Sequence, residues 1–165
     1  MEPYKHVVIS LIIGIIGVII YNDIFILLVT FIFGTFSDFD HYFEFINTQG
    51  IKKAFKFDEF YHSRHFIKSN RMILIFHAYE YLPLFVLVIF ISGFNVYLIF
   101  AFFGYLSHLI MDQIGNYDLK WFFYFITVRL YYRFDRRHLV KKDFLNVTGN
   151  DRKIIKTLSK KNTFN

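Results

Sequence analysis

The chain has no cysteine among its 165 residues. That excludes a disulfide framework, and it excludes thiolate chemistry at any metal or nucleophilic site. Any metal centre must be built from His, Asp, Glu or water. Two connections lack cations altogether: Tyr21-Asn22-Asp23 and Ser92-Gly93-Phe94-Asn95 contain no Lys or Arg. No small-residue cleavage site follows the first apolar run, so an uncleaved first helix is expected in place of a removed signal peptide. No internal repeat is visible.

Apolar and aromatic residues, by contrast, are abundant. The hydrophobic fraction is 55% and the mean hydropathy is +0.38, above the roughly 45–50% of an ordinary soluble domain. The chain carries 24 Phe and 12 Tyr, rings suited to helix interfaces and to the lipid–water boundary. Apolar runs cover 6–21, 24–36, 72–91 and 96–112. A complete crossing takes about 20 residues, so the first two are short. Gly14 and Gly17 suit close helix approach. Pro83 predicts a kink beside Glu80 in a helix over 72–91, because it leaves the carbonyl of Tyr79 unpaired. Length implies one domain.

These runs predict an all-α integral membrane protein with about four transmembrane helices. All 19 Lys and Arg then fall on one side, in the N-terminus, the 37–71 loop and everything after 113. Cationic short loops stay cytoplasmic, so both termini are expected in the cytoplasm of a multi-pass cell-membrane protein. Residues 117–134 are too short of uninterrupted apolar sequence for a fifth crossing. Arg129, Arg133, Arg136 and Arg137 stand at i, i+4, i+7 and i+8. The segment therefore reads as an interfacial amphipathic helix with Trp121 at headgroup depth. The expected division is a membrane-embedded domain over 1–134 and a basic, partly disordered cytoplasmic tail over 135–165. The net charge of +6 suits anionic lipid headgroups in the bilayer as partners. No nucleic-acid partner is expected, and the sequence leaves oligomeric state open.

Ionisable side chains in membrane helices are costly and mark functional candidates. His108 and Asp112 are four apart on one helix face, as a metal-ligand pair or as a His oriented by its carboxylate. An inert helix-gluing pair is the alternative. Asp38-Phe39-Asp40-His41 offers two hard oxygen donors across a turn. His77 and Glu80, three apart, share a face of the third run, and Glu80 is a candidate proton acceptor. His6 opens the first run at the same depth. Arg64 and Arg71 are candidate phosphate clamps, although cations there are also what the topology rule predicts. His62 and His65 are a loop pair open to a metal, acid or solvated role, and His138 reads as surface charge.

An N-terminal His, D-x-D-H after the second apolar run, a His in the third and Gly104-Tyr-Leu-Ser-His108-Leu-Ile-Met-Asp112 in the fourth resemble the membrane-bound metal-dependent hydrolases. That family is grouped with zinc-dependent phospholipase C and related single-strand nucleases. The likeness runs from His6 to about Asn116. Ser37 stands where the family usually has Pro, and its H-R-G-x-T-H-S segment is missing. The resemblance implies metal ligands or close partners at His6, Asp38, Asp40, His77, His108 and Asp112. It implies metal-dependent hydrolysis as a reaction class and no substrate. The function expected here is hydrolysis of a phosphoester at the cytoplasmic face, a lipid headgroup being the natural substrate, with a divalent metal, Zn²⁺ or alternatively Mn²⁺. A cation or proton transporter or sensor, and a structural membrane protein, are the rival readings.

Overall fold

The computed structural model describes residues 3–51 and 69–145. Helices are α1 (Pro3–Tyr21), α2 (Ile24–Thr35), α3 (Phe39–Gln49), α4 (Tyr81–Ile91), α5 (Val96–Gly115), α6 (Ile126–Tyr131) and α7 (Arg136–Leu139). A 3₁₀ turn, Phe36–Asp38, joins α2 to α3, and two more lie at Trp121–Tyr124 and Lys142–Phe144. No strand occurs among the described residues, only the isolated bridges Arg71–Asp135 and Leu119–Val140.

Three stretches are long and apolar enough to cross a membrane: Pro3–Tyr21, Ile24–Thr48 and Val96–Gly115. Their outward faces carry Ile12, Ile16, Ile19, Leu28, Ile32 and Phe103, all exposed. A contiguous apolar surface of this extent suits lipid and not water.

Inside the bundle the pattern reverses, and small residues meet. A Cβ on Gly34 would fall 1.9 Å from Ser10 Oγ, and one on Gly104 would fall 2.5 Å from the Thr30 carbonyl oxygen. Backbone contact of this kind lets helices pack without a hydrophobic drive between them. The buried hydroxyls bond within their own helices, Ser10 to the His6 carbonyl and Thr30 to the Ile26 carbonyl, each at 2.7 Å. At the far end Asp23 caps α2 through Phe25 N and accepts from Tyr97 Oη at 2.5 Å. That bond sets the α1–α2 turn beside the start of α5.

The expected helix over 72–91 begins only at Tyr81. Residues 72–80 form no helix, and side chains satisfy their backbone. Ile73 N donates to Glu44 Oε2, and Phe76 N to Asp40 Oδ2. Tyr105 Oη accepts from Ala78 N and lies 2.8 Å from the carbonyls of Phe76 and Ala78. Arg129 donates to the carbonyls of Leu74 and His77. Together these offer the segment more favourable partners than a helix would. Pro83 consequently falls in the first turn of α4, where a missing N–H costs little. The Tyr79 carbonyl is paired with Leu82 N at 3.0 Å, so the expected unpaired carbonyl does not occur. At 11 residues, α4 rises about 16 Å, short of a full crossing.

The expected amphipathic helix over 117–134 is also broken. It comprises the Trp121–Tyr124 turn, the six-residue α6, and a reversal at Arg133 and Phe134, both with positive φ. The four arginines do not share a face: Arg129 and Arg136 are buried, Arg133 and Arg137 exposed. The chain then packs back instead of leaving as a tail at 135. Leu139 and Val140 are buried in a core with Met72, Leu74, Leu109, Leu119, Phe123 and Tyr124. This aromatic cap seals the end of α5 that carries His108 and Asp112.

Candidate metal centre

Each polar side chain of the centre is placed by a backbone feature already described. The close approach of α2 and α5 sets the Gly34 carbonyl 2.9 Å from His108 Nδ1. Asp40, on the first turn of α3, meets His77 Nδ1 at 3.0 Å through Oδ1 and 3.2 Å through Oδ2. The non-helical 72–80 segment carries His77 inward, and Arg129 grips it from behind.

Those two contacts fix the tautomers. A carbonyl can only accept, so His108 Nδ1 is the donor to Gly34. A carboxylate accepts, so His77 Nδ1 is the donor to Asp40. In neutral rings both Nε2 atoms then present lone pairs, and they lie 3.0 Å apart. Lone pairs at that distance repel unless a cation or a proton lies between them.

Carboxylates surround the same point. Asp112 Oδ2 is 3.2 Å from His77 Nε2 and 3.7 Å from His108 Nε2. Asp38 Oδ1 is 3.9 and 3.8 Å from the same two nitrogens. Ligands held about 2.1 Å from one tetrahedral ion stand about 3.4 Å apart, and the 3.0 to 3.7 Å separations among His77, His108 and Asp112 bracket that value, with Asp38 somewhat farther out. His6 stacks on His108 with ring centroids 3.9 Å apart. Its Nε2 lies 3.2 Å from Asp112 Oδ1. Neither ring nitrogen of this buried His makes a hydrogen bond. Three overlapping groups have ligand atoms within 4.8 Å of one another: His6, Asp38 and His108; Asp38, His41 and His77; His77, His108 and Asp112.

The chain matches no protein-family model, no curated protein and no solved structure. The reading of the centre therefore rests on its own geometry.

Of the expected site residues, His6, Asp38, His77, His108 and Asp112 converge. Asp40 is adjacent, but its position behind His77 Nδ1 is that of an orienting carboxylate, the second tier of a carboxylate–histidine–metal arrangement. Glu80 does not join them. Its Oε2 accepts from Ile126 N, and its Oε1 from Thr127 N and Thr127 Oγ1. Those three bonds engage both of its oxygens. It pins α6 and does not face the centre, and His77 shares no helix face with it. Arg71 is exposed and forms an isolated bridge with Asp135. Arg64, His62 and His65 lie outside the described residues.

The sequence reading named His41 within D-x-D-H but assigned it no ligand role, although with Asp38 and His77 it forms a group that could hold an ion, and it missed the burial of Arg129. That residue is fully buried, and its guanidinium lies 5.3 Å from the Phe123 ring. Its place in a regular run of arginines disguised it as surface charge. Asp38 and His41 are the partly exposed members, while His6, His77, His108 and Asp112 are buried. The centre therefore opens along the side occupied by the 3₁₀ turn and α3.

Proposed function

We propose that this chain is a membrane-embedded, metal-dependent hydrolase acting on a phosphoester at the cytoplasmic face. The supporting observation is the pair of inward Nε2 lone pairs 3.0 Å apart, each ring held by an acceptor at its outer nitrogen. His77, His108 and Asp112 would hold Zn²⁺, with Mn²⁺ the alternative, and the fourth position, on the Asp38 side, would stay open. Held so, the ion would supply a hydroxide nucleophile near neutral pH and polarise phosphoryl oxygen. Asp40 keeps His77 in the ligating tautomer, and Gly34 does the same for His108. His6 covers Asp112 and excludes water from the buried side. Asp38, the more open carboxylate, borders the entry and can take up a proton there.

The resemblance to membrane-bound metal-dependent hydrolases supports the same reaction class. The cationic segments support a topology with both termini cytoplasmic and the 21–23 and 92–95 turns outside. In that topology α4, extended by residues 72–80, completes a fourth crossing. Non-helical backbone is tolerated at such depth when protein buries it. A lipid headgroup is the natural substrate for a centre at this level.

One observation favours a structural rival. His77 lies between Asp40 and Asp112, so a proton on Nε2 would relieve the same repulsion without metal. Elemental analysis separates the two. Detergent-purified wild type is expected to carry near-stoichiometric Zn or Mn, lost in folded His108→Ala and Asp112→Ala variants. Wild type that stays metal-free after zinc is restored would leave the protonated pair as the better account.

A further inference from the structure

A second cluster of polar groups lies at the reversal between α6 and α7, and it shares no residue with the metal centre. Here the 69–71 segment runs antiparallel to residues 134–136. Met72 N donates to the Phe134 carbonyl and Arg136 N to that of Asn70, and the bridge joins Arg71 to Asp135. Between these two segments and the end of α6 is an open cavity of about 490 Å³. Arg71, Arg133, Arg137 and His138 line it, with Tyr132 and Asp135.

Three features make this more than scattered surface charge. The cations come from two chain segments more than sixty residues apart, so tertiary structure assembles them. Among the described residues, three of the five non-glycine residues with positive φ lie here: Asn70 at 52°, Arg133 at 52° and Phe134 at 60°. Such backbone is costly and persists where surrounding structure imposes it, commonly at ligand sites. The single acid is also already committed. Arg137 bonds Asp135 Oδ2 at 2.6 and 3.0 Å and Oδ1 at 3.1 Å, and thereby holds its pKa down at about 2. Asn70 adds a further bond to Asp135 at 3.3 Å. Asp135 thus fixes Arg137 and Asn70, and Arg71 and Arg133 line the cavity beside them. Guanidinium forks suit a phosphate's planar oxygen pairs.

The neighbouring surface is apolar and aromatic. Trp121 is 71% exposed and Tyr131 81%, with Leu130 also exposed, residues that settle at the headgroup level of a bilayer. Tyr132 stacks flat on His138, centroids 4.8 Å apart, forming one wall.

We propose that this cavity is a phosphate-binding site, separate from the metal centre, that takes the phosphate group of an anionic lipid headgroup or, alternatively, free phosphate. Arg71 and Arg133 would supply the recognising charge, and Trp121 and Tyr131 would hold the rim against the bilayer.

The test is isothermal titration calorimetry on the full chain in a neutral detergent. Three probes are titrated: inorganic phosphate, short-chain phosphatidylglycerol and short-chain phosphatidylcholine. Saturable binding of phosphatidylglycerol in preference to phosphatidylcholine is expected, weakened about tenfold or more in the double variant Arg71→Gln/Arg133→Gln. The thermal unfolding of that variant should match wild type, because neither guanidinium supports the fold. If phosphate binds as tightly as phosphatidylglycerol, and the variant weakens both, the ligand is free phosphate. An Asp38→Asn variant is expected to retain binding, which keeps this site's fate independent of the metal reading. Absence of saturable binding, equal binding of phosphatidylcholine and phosphatidylglycerol, or undiminished binding by the double variant would overturn the proposal.

Discussion

His77 shows how much one residue's surroundings decide. Its Nδ1 meets Asp40, its Nε2 meets His108 and Asp112, and its carbonyl is held by Arg129. Asp40 orients without ligating, so Asp40→Asn should leave the fold intact. It should weaken metal affinity by about 10–100-fold, the usual effect of losing such a carboxylate. Competition with a chelator of known affinity measures this, and His108→Ala should lose metal outright. Glu80 predicts the opposite outcome. Its carboxylate accepts from Ile126 N, Thr127 N and Thr127 Oγ1, and truncation leaves those donors unpaired. Glu80→Ala should lower the unfolding temperature at neutral pH, with metal content unchanged. A Glu80→Ala protein of normal stability that had lost only hydrolysis would restore it as the proton acceptor.

At the scale of elements, α1, α2 and α5 meet through small residues, and the same contact builds the centre. Gly34→Ala would drive a Cβ to 1.9 Å from Ser10 Oγ and push apart the helices whose approach sets Gly34 O against His108. A loss of about 1–3 kcal/mol is expected for overpacking, together with reduced metal binding. Gly17→Ala meets Ile26 Cγ2 and Phe100 Cε1 at 2.5 Å, toward the other end of α1. It should cost stability of the same order and leave metal binding intact. Thermal unfolding and metal content, measured side by side, separate the two.

For the whole molecule, charge distribution and the Asp23–Tyr97 bond bear on one question, which turns share a face of the membrane. The bond puts both cation-free turns at one end of the bundle, and the aromatic cap closes the other. The absence of cysteine makes labelling clean. Asn22→Cys should react with an impermeant maleimide added to intact cells, and Lys141→Cys should react only after the membrane is opened. The reverse pattern would move the centre to the outer face and remove cytoplasmic phosphoesters from consideration.

The apolar runs made α1, α2 and α5 legible, because a helix long enough to span carries its own signal in composition. His108 and Asp112 were legible for a related reason: a spacing of four on a regular helix fixes a shared face. Nothing local announced that residues 72–80 would stay out of a helix. Their composition is apolar, and the groups that hold them, Glu44, Tyr105 and Arg129, lie about thirty to fifty residues away. The broken 117–134 segment failed for the same cause. Spacing alone gave Arg129 a surface face, while a buried pair of carbonyls claimed it. By itself the sequence determined a helical, membrane-compatible chain with charge confined to certain segments, because those properties follow from local apolar content and residue order. Only the tertiary structure decided which carboxylate faces His108 and which stands behind His77, and that Glu80 is a structural pin. Those roles depend on which backbone groups are left unpaired when distant segments meet.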